Sequence, residues 1–161
     1  MQVNISFYKD FVLLFIEPII VKQFYVLTSM TLQVCIMTPD RVFFNESAEE
    51  VVLPTNTGQM GVLQNHAPLV TGLEVGVMLL RSQNEWTTFA LMGGFAIVKQ
   101  NQVTILVNSA ESAESVDAEQ AEKTFLDAQK RLSQVSGQKD KVEANFAFKR
   151  ARVRYQLVKN K

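Results

Sequence analysis

The spacing of the apolar residues changes near residue 115, and this change constrains the fold more than any other feature of the sequence. Before that point apolar and polar residues alternate in short runs, as at Leu32, Val34 and Ile36, which is typical of half-buried strands. After that point apolar residues recur every three or four positions, which is typical of amphipathic helices. We therefore expect an α+β protein in which strands precede helices.

The first part of the chain contains eight strand-like runs separated by turn-forming residues. They cover residues 32–37, 41–44, 51–53, 61–63, 75–81, 86–92, 95–99 and 103–108. Short strands at this spacing predict an antiparallel sandwich or barrel rather than a βαβ protein. Gly93 and Gly94 interrupt an apolar stretch, which indicates a bulge or a close backbone contact.

Two helices follow, each with one narrow apolar seam. The first seam contains Ala118, Ala121, Phe125, Ala128, Leu132 and Val135, and the second contains Ala144, Phe148, Ala151, Tyr155 and Val158. Asp117 or Ser115 can cap the first helix, Gly137 is expected to end it, and a short connection predicts an antiparallel hairpin. Because Ala-rich seams bury little surface, the hairpin must pack on the sandwich or bind something else, and two docking places would make it a switch.

Residues 1–29 match no targeting or membrane segment. Glu17, Pro18 and Lys22 interrupt the apolar runs, so none approaches the ~20 residues that a membrane span requires. There is no small-residue cleavage site and no Arg before Arg41. We expect Met30 to be the true start, with a real N-terminal arm as the alternative. The expected domains are then a sandwich over 30–113 and a helical hairpin over 114–161.

Charge is unevenly distributed along the chain. The 16 basic and 16 acidic side chains cancel, which argues against a general nucleic-acid-binding role. Residues 139–161, however, carry eight basic side chains against two acidic ones, a net charge of +6, which leaves −6 on the remainder. A basic segment on an acidic body predicts docking within the molecule or an acidic partner.

The sequence offers little catalytic chemistry. One Cys and one His exclude a disulfide scaffold and a tetrahedral zinc site, and no phosphate-binding or nucleophile motif occurs, so no cofactor or metal is expected. His66 lacks an indicated nucleophile, and a loop histidine hydrogen-bonded to backbone near Pro68 is the simpler interpretation. A small ligand-binding or enzymatic sandwich that uses His66 and residues 57–66 remains the alternative function.

Three stretches together resemble the epsilon subunits of rotary (F-type) ATP synthases, and the plastid and cyanobacterial forms most of all. They read EEVVLPTNTGQMGVLQNHAPLVTGLEVGVMLLR at 49–81, ALMGGFAIVKQNQVTILVNSAE at 90–111 and FAFKRARVRYQ at 146–156. The resemblance runs from about residue 31 to the end. It implies a β-sandwich of ten strands followed by two helices, and a non-catalytic role.

The resemblance also implies partners and contact residues. In the family the sandwich joins the gamma subunit to the membrane ring of c subunits, and the hairpin can rise along gamma towards the beta and alpha subunits to restrain ATP hydrolysis. The residues expected to face the c-ring, in a loop over 57–66, are Gln59, Met60, Asn65 and His66. Those expected to meet acidic segments of the beta subunits are Lys149, Arg150, Arg152 and Arg154.

One motif departs from the family pattern. Relatives that bind ATP carry Ile/Leu-Asp-x-x-Arg-Ala at the start of the first helix, whereas Gln120 stands here in place of the arginine that would neutralise phosphate charge. ATP binding by this chain is therefore not expected. The resemblance implies a peripheral location on the stromal side of the chloroplast thylakoid membrane, with a cyanobacterial thylakoid or a bacterial inner membrane as alternatives.

Overall fold

The computed structural model describes residues 31–159, so the predicted start at Met30 and the segment before it lie outside the described residues. The strands are β1 Leu32–Met37, β2 Val42–Ala48, β3 Glu50–Thr55, β4 Gly58–Leu63, β5 Leu69–Ser82, β6 Glu85–Lys99, β7 Gln102–Val107 and β8 Ala110–Ser112. The helices are α1 Ala118–Gln134 and α2 Gln138–Lys159. The predicted class, a β-sandwich followed by a two-helix hairpin, is confirmed.

The strands differ in detail from the predicted runs. The runs at 86–92 and 95–99 belong to the single strand β6, and β8 was not predicted. The number of strands in the described residues is eight, and the ten implied by the resemblance was wrong as a count. β5 and β6 are long strands of 14 and 15 residues, and counting each as two shorter strands would give ten.

The strands form one continuous sheet that folds over on itself. Their order is β2-β1-β7-β6-β5-β3-β4, with β8 paired to β6, and only the β1–β7 pairing is parallel. β1 and β3 are far apart in this order, yet Val34 and Ile36 of β1 share one buried apolar core with Val51 and Leu53 of β3. The two ends of the sheet therefore face each other across the core of a sandwich.

A bend at Gly93 and Gly94 makes this folding possible. Leu91 faces the core and so does Ala96, although strict alternation would send these two side chains to opposite faces. Gly93 has φ of 76°, which favours glycine, and the backbone of Gly94 lies against Leu106 so closely that a Cβ would collide with the Leu106 carbonyl oxygen. Of the two predicted alternatives, the close backbone contact is confirmed, whereas the pairings of β6 with β5, β7 and β8 keep one register and show no bulge.

The hairpin forms along the predicted seams. Asp117 caps α1, since its carboxylate accepts a hydrogen bond of 2.7 Å from the Gln120 amide. The Phe125 ring stacks on Tyr155 with centroids 5.0 Å apart and lies 5.6 Å from Phe148. The prediction that Gly137 ends α1 was wrong, because the helix already ends at Gln134. The Gly137 carbonyl instead accepts a hydrogen bond from the Lys141 amide in the first turn of α2.

Within residues 31–159, no helix is both long enough and apolar enough to cross a membrane.

Candidate functional site

The hairpin contacts the sandwich through one small apolar area of α2. Val153 and Leu157, one turn apart, are 1% and 0% exposed and pack against Ala90 and Met92 of β6. The smaller partly buried side chains around this area are Val75, Val77, Ala113 and Val116. The apolar spacing of the sequence predicts only the α1-facing seam of α2, and this second face was missed. The sequence feature that could have predicted this face is the apolar pair Val153 and Leu157, four positions apart within a basic segment.

Two ion pairs lie beside this apolar area. The Lys149 Nζ lies 2.8 Å from the Glu74 carboxylate of β5. The Arg154 guanidinium donates two hydrogen bonds to the Glu111 carboxylate of β8, at 2.8 and 2.6 Å. The Glu111 hydrogen bond raises the pKa of Arg154 further above its ordinary value, although burial opposes this. The arginine in this pair is therefore permanently charged.

The structure thus divides the four basic residues predicted to meet the beta subunits. Lys149 and Arg154 point at the sandwich and are paired with its acidic side chains. Arg150 and Arg152 are exposed and form no ion pair with any residue between 31 and 159. In this arrangement two of the four cations are paired with the sandwich and two are unpaired within residues 31–159.

The residues predicted to face the c-ring are not on a single loop. Residues 58–63 form β4, an edge strand of the sheet, so Gln59 and Met60 are strand residues paired with Pro54 and Leu53. The loop is limited to the residues after Leu63. The loop prediction for 57–66 was wrong because β-pairing to β3 continues beyond the glycine-rich turn.

Asn65 and His66 lie at the far end of β4. The Asn65 amide donates to the Asn101 side chain at 2.7 Å, which ties this loop to the turn between β6 and β7. Gln59 is exposed and Met60 and His66 are half-buried, so the four residues follow one edge of the sheet without meeting at a point. Such an edge can present backbone and side chains to a partner, but it does not form a pocket.

His66 lacks the surroundings of a catalytic base. Its Nδ1 lies 2.8 Å from the carbonyl oxygen of Ala67, and its amide donates to the Leu63 carbonyl. The described residues contain no group of three or more His, Cys, Asp or Glu side chains that could hold a metal ion. The interpretation of His66 as a loop histidine hydrogen-bonded to nearby backbone agrees with this geometry.

A cleft between α1, α2 and β8 contains the residue that departs from the nucleotide-binding motif. Gln120 lines it together with Glu111, Asp117 and Arg154. The Arg154 cation is already neutralised by Glu111, and the Asp117 carboxylate is engaged in capping α1. The charges of this cleft do not favour a phosphate group, and the absence of ATP binding stays a prediction.

A second surface, not predicted from the sequence, is an apolar face on the outside of the sheet. It consists of Met37, Val70, Phe95, Ile97 and Leu106, which are 37%, 69%, 61%, 39% and 42% exposed. We call these five residues the outer apolar face. Phe95 is paired with Leu106, Leu106 with Met37, and Ile97 with Val70, so they are direct cross-strand neighbours.

The outer apolar face and the hairpin contact use different halves of β6. Residues 94–99 of β6 pair with β7, whereas residues 89–91 pair with β8, and the bend at Gly93 and Gly94 separates the two. The outer apolar face could have been predicted from the stretches FAIVK and VTILV, in which neighbouring residues are both apolar. A strand with one face towards solvent is instead expected to carry a polar residue at every second position. An uncovered apolar area of this kind marks a contact surface.

Two protein-family models together match all of the described residues. Residues 31–113 match the ATP synthase delta/epsilon chain β-sandwich domain, and residues 114–159 match the ATP synthase delta/epsilon chain long α-helix domain.

Individual proteins resemble the chain over the same extent. It is 67% identical over 129 residues to the chloroplastic ATP synthase epsilon chain of Tupiella akineta, an alignment that covers 80% of this chain and 99% of that one. It is 65% identical over 130 residues to the chloroplastic epsilon chain of Chlorella vulgaris, covering 81% and 97%.

Among solved structures, a chain of the Euglena gracilis mitochondrial ATP synthase superposes with a TM-score of 0.69 at 22% identity, covering 76% of this chain and 78% of that one. A chain from the central stalk and c-ring of the Tetrahymena thermophila mitochondrial ATP synthase gives 0.58 at 19% identity, covering 79% and 96%. At these identities the two structures support the fold alone.

Proposed function

The chain belongs to the ATP synthase delta/epsilon family as an epsilon chain of the chloroplast type, and on that premise we propose that it couples rotation and restrains ATP hydrolysis. In this role the sandwich joins the gamma subunit to the c-ring of the central stalk, and the helical hairpin limits hydrolysis by the catalytic head. The subunit itself is non-catalytic and needs no cofactor. The complex lies on the stromal side of the thylakoid membrane, to which this chain is peripheral.

The observation that carries the proposal is the outer apolar face. Phe95 is 61% exposed and Val70 is 69% exposed, and burying one large apolar side chain contributes roughly 1.5–3 kcal/mol. A protein that stays in an aqueous compartment gains by covering such a surface permanently. We assign this face to the gamma subunit, the partner that must turn together with the sandwich.

The exposed edge of the sheet supports a second contact. Gln59 on β4, and Asn65 and His66 beyond it, offer polar groups of the kind that suit the polar loops of a c-ring, and Met60 adds an apolar side chain that also packs against the core. Asn65 is fixed to the β6–β7 turn through Asn101, so this end of the edge is held in place by the sandwich. A fixed contact transmits torque, whereas a mobile loop would absorb it.

The hairpin supports the regulatory half of the proposal. α2 has 22 residues and is therefore about 33 Å long, enough to reach from the stalk towards the catalytic head if the hairpin opens. Lys149, Arg150, Arg152 and Arg154 would then meet acidic segments of the beta or alpha subunits. Exposed ion pairs contribute little one by one, but several act together on an arm in the path of rotation.

The test is ATP hydrolysis by an epsilon-depleted catalytic head, titrated with the full-length chain. We expect saturable inhibition as the chain reaches equimolar amounts with the head. Replacing the four basic residues of α2 by Ala should weaken inhibition, whereas a control with Lys123, Lys130 and Arg131 of α1 replaced by Ala should not. Equal loss of inhibition in both variants, or no inhibition by the unmodified chain, contradicts the regulatory role.

The coupling role has a separate test in reconstituted proton-driven ATP synthesis. Gln59→Ala combined with His66→Ala should lower the synthesis rate while inhibition of hydrolysis stays unchanged. Thr87→Ala, on an exposed position of β6 away from the β4 edge, is the control. An unchanged synthesis rate in the double variant removes these residues from the proposed c-ring contact.

A further inference from the structure

The two ion pairs between the hairpin and the sandwich lie on opposite sides of the apolar contact. Glu74 belongs to β5 and Glu111 to β8, and both strands pair with β6, which carries Ala90 and Met92 beneath α2. Lys149 and Arg154 therefore attach α2 to the two strands that flank the apolar contact. With one attachment on each side, the helix cannot pivot about Val153 and Leu157 without breaking an ion pair.

We propose that Lys149–Glu74 and Arg154–Glu111 form a latch that sets how readily the hairpin leaves the sandwich, and therefore how strongly the subunit inhibits. Glu74 and Glu111 are then regulatory residues on the sandwich, a role that deepens the proposed function and rests on it. The latch holds two of the four inhibitory cations away from the beta subunits while the hairpin is docked.

Docking and inhibition compete for the same two side chains. While the hairpin is docked, Glu74 neutralises Lys149 at 2.8 Å and Glu111 neutralises Arg154 through two hydrogen bonds, so both cations attract a further carboxylate only weakly. Arg150 and Arg152 are exposed on the docked hairpin and can make the first contact with an acidic surface. The remaining two cations join only after the latch opens, which makes inhibition depend on the acidic residues of the sandwich.

The expected size of each effect follows from exposure. Side-chain exposure is 32% for Lys149 and 44% for Glu74, and 38% for Arg154 and 22% for Glu111. Pairs this exposed are screened by water, so each should change the docking equilibrium only about two- to fivefold. The Arg154–Glu111 pair is bidentate and should give the larger change.

The experiment measures docking in the isolated full-length chain by the rate at which peroxide oxidises Met92. Met92 is 7% exposed beneath α2, and Met78, 0% exposed in the sandwich core, reports whether the sandwich itself stays folded. We expect Glu74→Gln and Glu111→Gln each to speed oxidation of Met92 about two- to fivefold, with Met78 unchanged. Glu85→Gln is the control, because Glu85 is exposed and forms no ion pair within residues 31–159.

Exchanging the charges of Glu74 and Lys149 shows whether faster oxidation comes from the lost ion pair or from a local change around Met92. Glu74→Lys combined with Lys149→Glu should return the Met92 rate towards that of the unmodified chain, whereas Glu74→Lys alone should raise it. If the exchanged pair protects Met92 no better than Glu74→Lys alone, the Lys149–Glu74 half of the latch is wrong. Unchanged Met92 rates in both Gln variants overturn the latch as a whole.

The same variants are then tested as inhibitors of ATP hydrolysis by the epsilon-depleted catalytic head. Glu74→Gln and Glu111→Gln should inhibit at severalfold lower concentration than the unmodified chain, because they keep all four inhibitory cations and lose only the docking contact. Faster oxidation of Met92 without stronger inhibition overturns the regulatory role of the latch. If the unmodified chain does not inhibit at all, the proposed function fails, while the oxidation rates still decide whether the ion pairs hold the hairpin.

Discussion

Val153→Ala tests whether the apolar contact holds the hairpin on the sandwich. The change removes two methyl groups from a side chain that is 1% exposed against Ala90 and Met92. At about 0.8 kcal/mol for each buried carbon, docking should weaken by roughly 1.6 kcal/mol, or about fifteenfold in the docking equilibrium. Any cavity left beneath α2 would add to this loss, so the figure is a minimum.

Val142→Ala supplies a matched control within the same helix. Val142 is 53% exposed, so its methyl groups contribute little to docking. Both changes replace a β-branched residue by the best helix former and raise helix stability by a similar few tenths of a kcal/mol. Their difference therefore isolates the contact with the sandwich.

The assay is again the peroxide oxidation of Met92, with Met78 as the internal reference for sandwich folding. We expect Val153→Ala to speed oxidation of Met92 by at least about fifteenfold and Val142→Ala to leave it unchanged. Equal rates in the two variants would refute the reasoning, since Val153 would then contribute nothing that an exposed valine does not. A simultaneous rise at Met78 would instead mean that docking and sandwich stability are one cooperative unit.

Three further predictions concern stability and domain independence. Removing residues 117–161 should leave a sandwich with a cooperative thermal transition and abolish inhibition of hydrolysis; retained inhibition would place the effect in the sandwich. Asp117→Ala should lower the stability of α1 by about 1 kcal/mol through loss of its cap, measured by helical circular dichroism during denaturation. Gly94→Ala should destabilise the sandwich by about 1–3 kcal/mol in urea because its Cβ meets the Leu106 carbonyl, whereas Gly61→Ala, with open space around it, should cost little.

The predicted architecture depended on periodicity, which is a local property and was therefore readable from the sequence. The α1–α2 seam was predicted because Phe125, Phe148 and Tyr155 recur at helical spacing, and their rings do meet. The division of β6 into two predicted runs had a physical cause, since Gly93 and Gly94 end the local pattern while pairing continues across them. Whether a strand continues past such glycines is decided by its pairing with neighbouring strands, which the apolar pattern of one stretch of sequence does not show.

The functional surfaces were harder to predict because they depend on residues distant in the sequence. The basic residues of α2 were predicted as one group, yet Glu74 and Glu111 divide them, and those partners lie 75 and 43 positions away in the chain. The outer apolar face was missed for the same reason. Phe95 and Leu106 each look like ordinary strand residues, and only pairing places them side by side on an exposed surface.

The bend in β6 gives the sandwich two separate apolar areas, which suits the proposed permanent contact and the proposed releasable one. Both halves of β6 carry outward apolar side chains, Ala90 and Met92 before the bend and Phe95 and Ile97 after it. The first pair is covered by the chain's own hairpin, and the second is exposed. Opening the hairpin would expose Met92, Val153 and Leu157 to water, and the lost burial of apolar surface would cost several kcal/mol of free energy. In the proposed function we therefore expect the inhibitory state to bury Val153 and Leu157 on another subunit, which would make the inhibitory contact apolar as well as ionic.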